Sequence, residues 1–101
     1  MAKVYAIDVD GTLTKSVCWT PEECLDAQPR QEVIDAVNSL QCVWIIINTA
    51  RRDELMPATI RWLRKHNVRY HAICNQKIPA DYYVDDRFLT IEQFIKGGER
   101  K

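Results

Sequence analysis

Unbroken apolar runs alternate along this chain with stretches in which apolar residues recur every three or four positions. Val4-Tyr5-Ala6-Ile7 and Cys42-Val43-Trp44-Ile45-Ile46-Ile47 are the clearest runs. They are short, β-branched and aromatic, and lack polar alternation. They therefore read as strands buried on both faces, the kind found in parallel sheets. Residues 68–73 lead into a short third strand, and Tyr82-Tyr83-Val84 forms a brief fourth. Between the first two runs, Val33, Ile34, Val37 and Leu40 recur at helical spacing and predict an amphipathic helix over residues 30–40. Ala58, Ile60, Trp62 and Leu63 predict another, with Pro57 in its first turn, where a missing N–H does no harm. Arg61, Arg64 and Lys65 keep its other side wet, and His66-Asn67 ends it. Positive charge near that end also suits the helix dipole.

The connections are less regular. Residues 15–29 form a loop containing one helical turn at Pro21-Glu22-Glu23-Cys24-Leu25, with Thr20 as N-cap and proline at the first helical position. Trp19 stands alone among polar residues there, as a core plug or as a lid over a pocket. A last helix over residues 90–96 stops at Gly97-Gly98, and the charged tail beyond is loose. Strands alternating with helices across short connections predict an α/β fold, a Rossmann-like doubly wound parallel sheet. At 101 residues the chain makes one domain, residues 1–101, with a modest core.

Composition narrows the function classes. Hydrophobic residues at 47% with charged residues at 28% suit a soluble globular protein. Lys+Arg 14 balances Asp+Glu 14, so no global basic field favours long polyanions, though a local patch is compatible with that balance. No segment approaches the length of a membrane span, and no charged and apolar leader precedes the first strand. Cys18, Cys24, Cys42 and Cys74 form no CxxC pair. Reduced, mostly buried thiols in a cytoplasm fit best, and the spacing of Cys18, Cys24, His66 and His71 is poor for zinc.

The chemistry gathers where strands end. Asp8 and Asp10 close the first, Thr49 and Arg51 follow the second, and Asp85 and Asp86 follow the last, with Lys77 in the loop before it. Ligands bind at the carboxyl edge of open α/β sheets, so these groups should share one edge. Residues two apart lie on the same side of a strand, which lets Asp8 and Asp10 face one pocket. Gly11 then permits a bend or a close backbone approach. Converging carboxylates need a cation, and hard oxygen donors suit Mg²⁺. With Lys77 and the metal offsetting charge and Thr49 donating a hydrogen bond, the set makes a site for a phosphoryl group. One Asp can attack phosphorus, and the other can serve as general acid and then base.

These motifs, in this order, resemble those of haloacid-dehalogenase-superfamily (HAD) phosphatases. They are Asp8-Val9-Asp10-Gly11-Thr12 after a hydrophobic strand, Thr49 after Ile45-Ile46-Ile47-Asn48, Lys77, and Tyr82-Tyr83-Val84-Asp85-Asp86. The resemblance runs from Val4 to Asp86 and implies a minimal HAD-like core. It implies Asp8 as a nucleophile forming an aspartyl-phosphate, and Asp10 as the acid that protonates the leaving oxygen and later activates water. It further implies Mg²⁺ held by Asp8, the backbone carbonyl of Asp10, and Asp86 or Asp85. A carboxylate at Asp10 favours phosphomonoester hydrolysis over the ATPase and dehalogenase chemistries of that superfamily.

Residues 15–29 are too short for a helical cap, so the chain resembles the capless subgroup. Within it, the chain is similar to small capsule-biosynthesis-type phosphatases and to the phosphatase halves of polynucleotide kinase-phosphatases. Closure around a substrate must then come from the 15–29 flap, from another subunit of a homo-oligomer, or from the substrate itself. Trp19 could stack on a base or sugar face, and Arg51, Arg52 and Arg30 could hold a second phosphate. The expected substrate is a phosphorylated nucleotide or polynucleotide end. A sugar phosphate of surface-polymer synthesis is the alternative, and a non-catalytic binding module on the same fold requires Asp8, Asp10, Thr49, Lys77, Asp85 and Asp86 all to be idle.

Overall fold

The computed structural model describes residues 2–76 and 78–85. Lys77, Asp86 and the helix expected over residues 90–96 lie outside them. In chain order the elements are β1 (Lys3–Ile7), α1 (Pro21–Asp26), α2 (Gln31–Asn38), β2 (Val43–Asn48), a 3₁₀ turn (Asp53–Leu55), α3 (Met56–Lys65), β3 (Ala72–Cys74) and β4 (Tyr82–Val84). The four strands form one parallel sheet in the order β3-β2-β1-β4. This is an α/β arrangement of the Rossmann-like kind expected from the alternation of strands and helices.

The local signals act as the residue types dictate. Thr20 caps α1 in a full capping box: its side chain accepts from the Glu23 N–H at 3.1 Å, and Glu23 Oε1 accepts from the Thr20 N–H at 3.2 Å. Pro57 lies in the first turn of α3, and Asn67 leaves that helix through a left-handed conformation at φ 56°. Cys42 also adopts φ 60°, so the second apolar run bends there and pairs only from Val43 onward.

The third strand is short, as expected, and pairing begins at Ala72. Residues 68–71 do not belong to it, because Arg69 is tied to the turn after α2 instead. Its backbone N–H donates to Asn38 Oδ1 at 2.8 Å, and its guanidinium reaches the carbonyls of Asn38 and Leu40. His71 then meets β2 at Ile45, giving its backbone N–H to the Ile45 carbonyl and accepting the Ile45 N–H on Nδ1.

Tyr5, Ile7, Ile45, Ile47 and Val84 point to one face and are buried with Val33, Ile34, Val37, Trp62 and Leu63. Each fully buried aliphatic side chain there contributes about 1.5–3 kcal/mol relative to exposure. The large aromatic of this core is Trp62, whose indole N–H donates to the Ala27 carbonyl at 2.9 Å. Trp19 is 73% exposed, so the core-plug reading of it fails. Burial of β2 is one-sided: Ile46 is half-buried and Trp44 is exposed, its ring edge-on to His71 at 5.0 Å.

Register decides where the chemistry lands. Ile7 lies between Ile47 and Val84, and Asn48 pairs with Cys74. The next residues along the strands are Asp8, Thr49, Asn75 and Asp85, and they emerge together at one edge.

Candidate active site

Asp8 is still part of the ladder, since its backbone N–H donates to the Val84 carbonyl at 3.3 Å. The chain then coils at once. The Val9 carbonyl accepts the N–H groups of Thr12, Leu13 and Thr14 at 3.1, 2.9 and 3.0 Å. Gly11 sits at φ 78°, a conformation that an L side chain rarely adopts, and this permits the turn. Thr14 Oγ1 accepts the Gly11 N–H at 3.2 Å and donates to the Ser16 carbonyl at 2.7 Å, so the loop closes on itself. The result is a rigid mount from which Asp8 and Asp10 project.

Among the cavities that open at this edge, Asp8 and Ala50 line two. The smaller, about 280 Å³, also has Asn48, Thr49, Asn75 and Asp85 on its wall. The larger, about 490 Å³, has Asp10, Arg51, Arg52, Val17, Trp19 and Leu55. The structure therefore brings Asp8, Thr49 and Asp85 to one cavity, and Asp8, Asp10, Arg51 and Trp19 to the other. Lys77 and Asp86 are outside the described residues.

Arg51 does more than line a wall. It is 5% exposed, and its Nε and Nη2 donate to the two carboxylate oxygens of Asp10 at 3.0 and 2.7 Å. Paired contacts of this kind fix the carboxylate plane as well as attract it. Nη1 donates to Thr59 Oγ1 at 2.8 Å, and Thr59 in turn donates to the Leu55 carbonyl at 2.8 Å. Burial by itself would lower the guanidinium pKa, but the hydrogen bonds and charge of Asp10 outweigh it and raise the pKa above its ordinary value. Asp10 Oδ1 also accepts the Cys18 N–H at 3.1 Å, which ties the flap to the acid.

Thr49 continues the β2–β3 ladder through its N–H to the Cys74 carbonyl at 3.1 Å, and its Oγ1 accepts the Arg51 N–H at 3.1 Å. Accepting that bond leaves the hydroxyl proton as a donor. Two amides hold the wall beyond it. Asn48 Nδ2 donates to the carbonyls of Cys74 and Gln76 at 3.2 and 2.7 Å. Asn75 Nδ2 donates to the Arg51 carbonyl at 3.2 Å and to Asp53 Oδ1 at 2.6 Å.

The donor set at the smaller cavity is oxygen-rich and hard, which suits Mg²⁺ better than softer metals. Among the described residues no group of three acidic, histidine or cysteine side chains stands close enough to hold an ion by itself. Asp10 has its carboxylate engaged by Arg51, so what it can offer a metal is its backbone carbonyl. Burial raises the thiol pKa of Cys18 and Cys24, which keeps both protonated and poor as ligands.

Four residues of the site carry no motif signature. Thr59 is a polar residue on the buried face of α3, an out-of-pattern position that could have signalled it. Asn75 follows a strand end, as the other site residues do. Val17 and Glu23 gain their roles only through the path of the flap.

No protein-family model and no curated protein matches this chain. Two solved structures resemble it. A crystal structure of a target protein from Vibrio cholerae superposes with a TM-score of 0.72 at 27% identity, covering 92% of this chain and 87% of that one. A chain of the Pnkp1/Rnl/Hen1 RNA repair complex superposes with a TM-score of 0.63 at 17% identity. That match covers 94% of this chain and 30% of the other, so this chain spans about a third of its length. Identity at that level establishes a shared fold.

Proposed function

We propose that this chain is a minimal, capless HAD-type phosphatase, a Mg²⁺-dependent phosphomonoester hydrolase working through a phosphoaspartate on Asp8. The observation that carries this reading is the meeting of Asp8, Thr49 and Asp85 at the carboxyl edge of the sheet, with Asp10 held in place beside them by Arg51. A carboxylate oxygen of Asp8 attacks phosphorus while the bond to the leaving oxygen breaks. Asp10, a carboxylate in the resting ion pair with Arg51, takes up a proton as the substrate enters and gives that proton to the leaving oxygen. Asp10, now a carboxylate, takes a proton from water. The water oxygen attacks the phosphoaspartate, releasing inorganic phosphate and restoring Asp8 and the protonated Asp10.

Thr49 donates its hydroxyl proton to a phosphoryl oxygen, and Lys77 offsets charge there. Arg51 orients Asp10, a role fitted to a buried guanidinium. Asp8, the Asp10 carbonyl, and Asp85 or Asp86 are the groups to hold Mg²⁺. The ion, when bound, offsets the phosphoryl negative charge and the repulsion among the acids. The substrate we assign is a phosphorylated nucleotide or polynucleotide end. An exposed Trp19 beside the acid supports that class, and the fold shared with part of an RNA repair complex is compatible with it.

Asp8→Asn tests the nucleophile. It should abolish turnover of a generic aryl phosphate while the circular dichroism spectrum stays that of the unmodified protein. Retained turnover refutes the assignment.

A further inference from the structure

The two cavities that share Asp8 differ in the groups they present. Asp8 faces both, Thr49 and Asp85 face only the smaller, and Asp10 faces only the larger. An acid must stand next to the oxygen it protonates, so on the proposed reading the leaving group extends from Asp8 into the larger cavity. That cavity, at about 490 Å³, lies in the range of roughly 300–1,000 Å³ typical for drug-sized ligands, nucleosides among them.

Its lining is more apolar than that of the smaller cavity. Val17 is 53% exposed and Trp19 73% exposed, and both lie on its wall with Leu55. Among the described residues, the other large apolar side chain so exposed is Trp44, which packs against His71 and lines neither cavity. Burial alternates along this stretch: Cys18 is 4% exposed while its neighbours Val17 and Trp19 turn out.

The display is anchored at three points. The Trp19 N–H donates to Glu23 Oε1 at 2.7 Å, that same carboxylate closes the α1 capping box, and the Cys18 N–H donates to Asp10. Solvent gives no reason to fix a bare indole and a valine beside a catalytic carboxylate. A flat apolar ligand does, because base–aromatic stacking recovers the exposed area and tolerates any base.

We infer that the larger cavity is the leaving-group subsite and that it takes a nucleoside, its base against the Trp19 indole and between Val17 and Leu55. This deepens the phosphatase reading and rests on it for the direction of the leaving group; the subsite itself rests on the cavity and its apolar wall. A sugar lacking a base leaves Val17 and Trp19 uncovered.

The experiment has a binding arm and a turnover arm on the full chain. Unphosphorylated adenosine and cytidine are titrated into ¹⁵N-labelled protein, and the indole N–H resonance of Trp19 is followed after assignment through Trp19→Phe. Both nucleosides should shift that resonance saturably, and ribose should not. In the second arm, the ratio of kcat/KM for nucleoside monophosphates to that for glycerol phosphate should fall at least about tenfold in Trp19→Ala. An unmoved Trp19 resonance with an unchanged ratio overturns the nucleoside subsite while glycerol phosphate turnover leaves the phosphatase reading standing. If no phosphate ester is hydrolysed, the phosphatase reading fails and the binding arm still decides the subsite.

Discussion

Arg51 supplies the sharpest test of the site's architecture, because one side chain links the acid, the flap and α3. Its side chain is 2% exposed and that of Asp10 is 19% exposed. Replacing Arg51 by Met keeps much of the stem packing and removes the guanidinium. Asp10 then loses contacts of 3.0 and 2.7 Å, and Thr59 loses one of 2.8 Å. Removing one partner of a buried pair typically costs about 3–5 kcal/mol, and the residual exposure of Asp10 argues for the lower end, about 3 kcal/mol. For a chain of this size, at about 4 °C per kcal/mol, that is a fall in Tm of roughly 12 °C.

Asp10→Ala should cost a comparable amount, because it leaves a guanidinium buried without its counter-charge. The two losses must not add. The double variant removes both charges together, so it should lose about 3–4 kcal/mol, giving a coupling energy of about 2–3 kcal/mol. Urea unfolding followed by circular dichroism measures all four corners of the cycle. A coupling energy below about 0.5 kcal/mol would refute the reasoning, since contacting residues that share one network cannot be that independent.

The other predictions follow from neighbouring contacts. Thr59→Val retains the shape of Thr59 but strands the Arg51 Nη1 donor, so it should lose about 1–3 kcal/mol in urea unfolding, and Thr59→Ser should restore most of it. Chelator-treated protein should melt higher once millimolar Mg²⁺ is added, and the rise should shrink in Asp8→Asn; equal melting with and without the ion would contradict the metal reading. Burial, and then Lys65, lowers the pKa of His66 below its ordinary value of 6.5. The folded state thus binds fewer protons there, and stability present above that pH is lost as pH falls below it. Between about pH 7.5 and about pH 5.5 the urea midpoint of the unmodified protein should drop more than that of His66→Gln.

Much of this arrangement was legible in the chain itself, for reasons local to each element. The apolar runs at Val4–Ile7 and Val43–Ile47 mark strands because short runs of β-branched and aromatic residues favour extended backbone, although β2 buries one face and leaves Trp44 exposed on the other. Thr20, Pro21 and Glu23 announce a capped helix start through side chains that reach only a few residues away. From strands alternating with helices, a parallel sheet follows, and from that the shared edge of Asp8, Thr49 and Asp85.

Tertiary structure alone decided which of those residues meet. Arg51 stands 41 positions from Asp10, and only the β1–β2 register brings the guanidinium onto that carboxylate. Trp19 could fill a core or roof a pocket by its chemistry. Trp62 occupies the core and bonds Ala27, while the flap's alternation at Val17, Cys18 and Trp19 sends the indole outward. Residues 68–71 have the composition of a strand, but Asn38 and Leu40 capture Arg69 and delay pairing to Ala72. The division of Asp8 and Asp10 between two cavities has the same origin. A period of two puts both on one side of a strand, and the Val9 turn ends that strand between them, so the walls each acid meets come from segments far away in the chain.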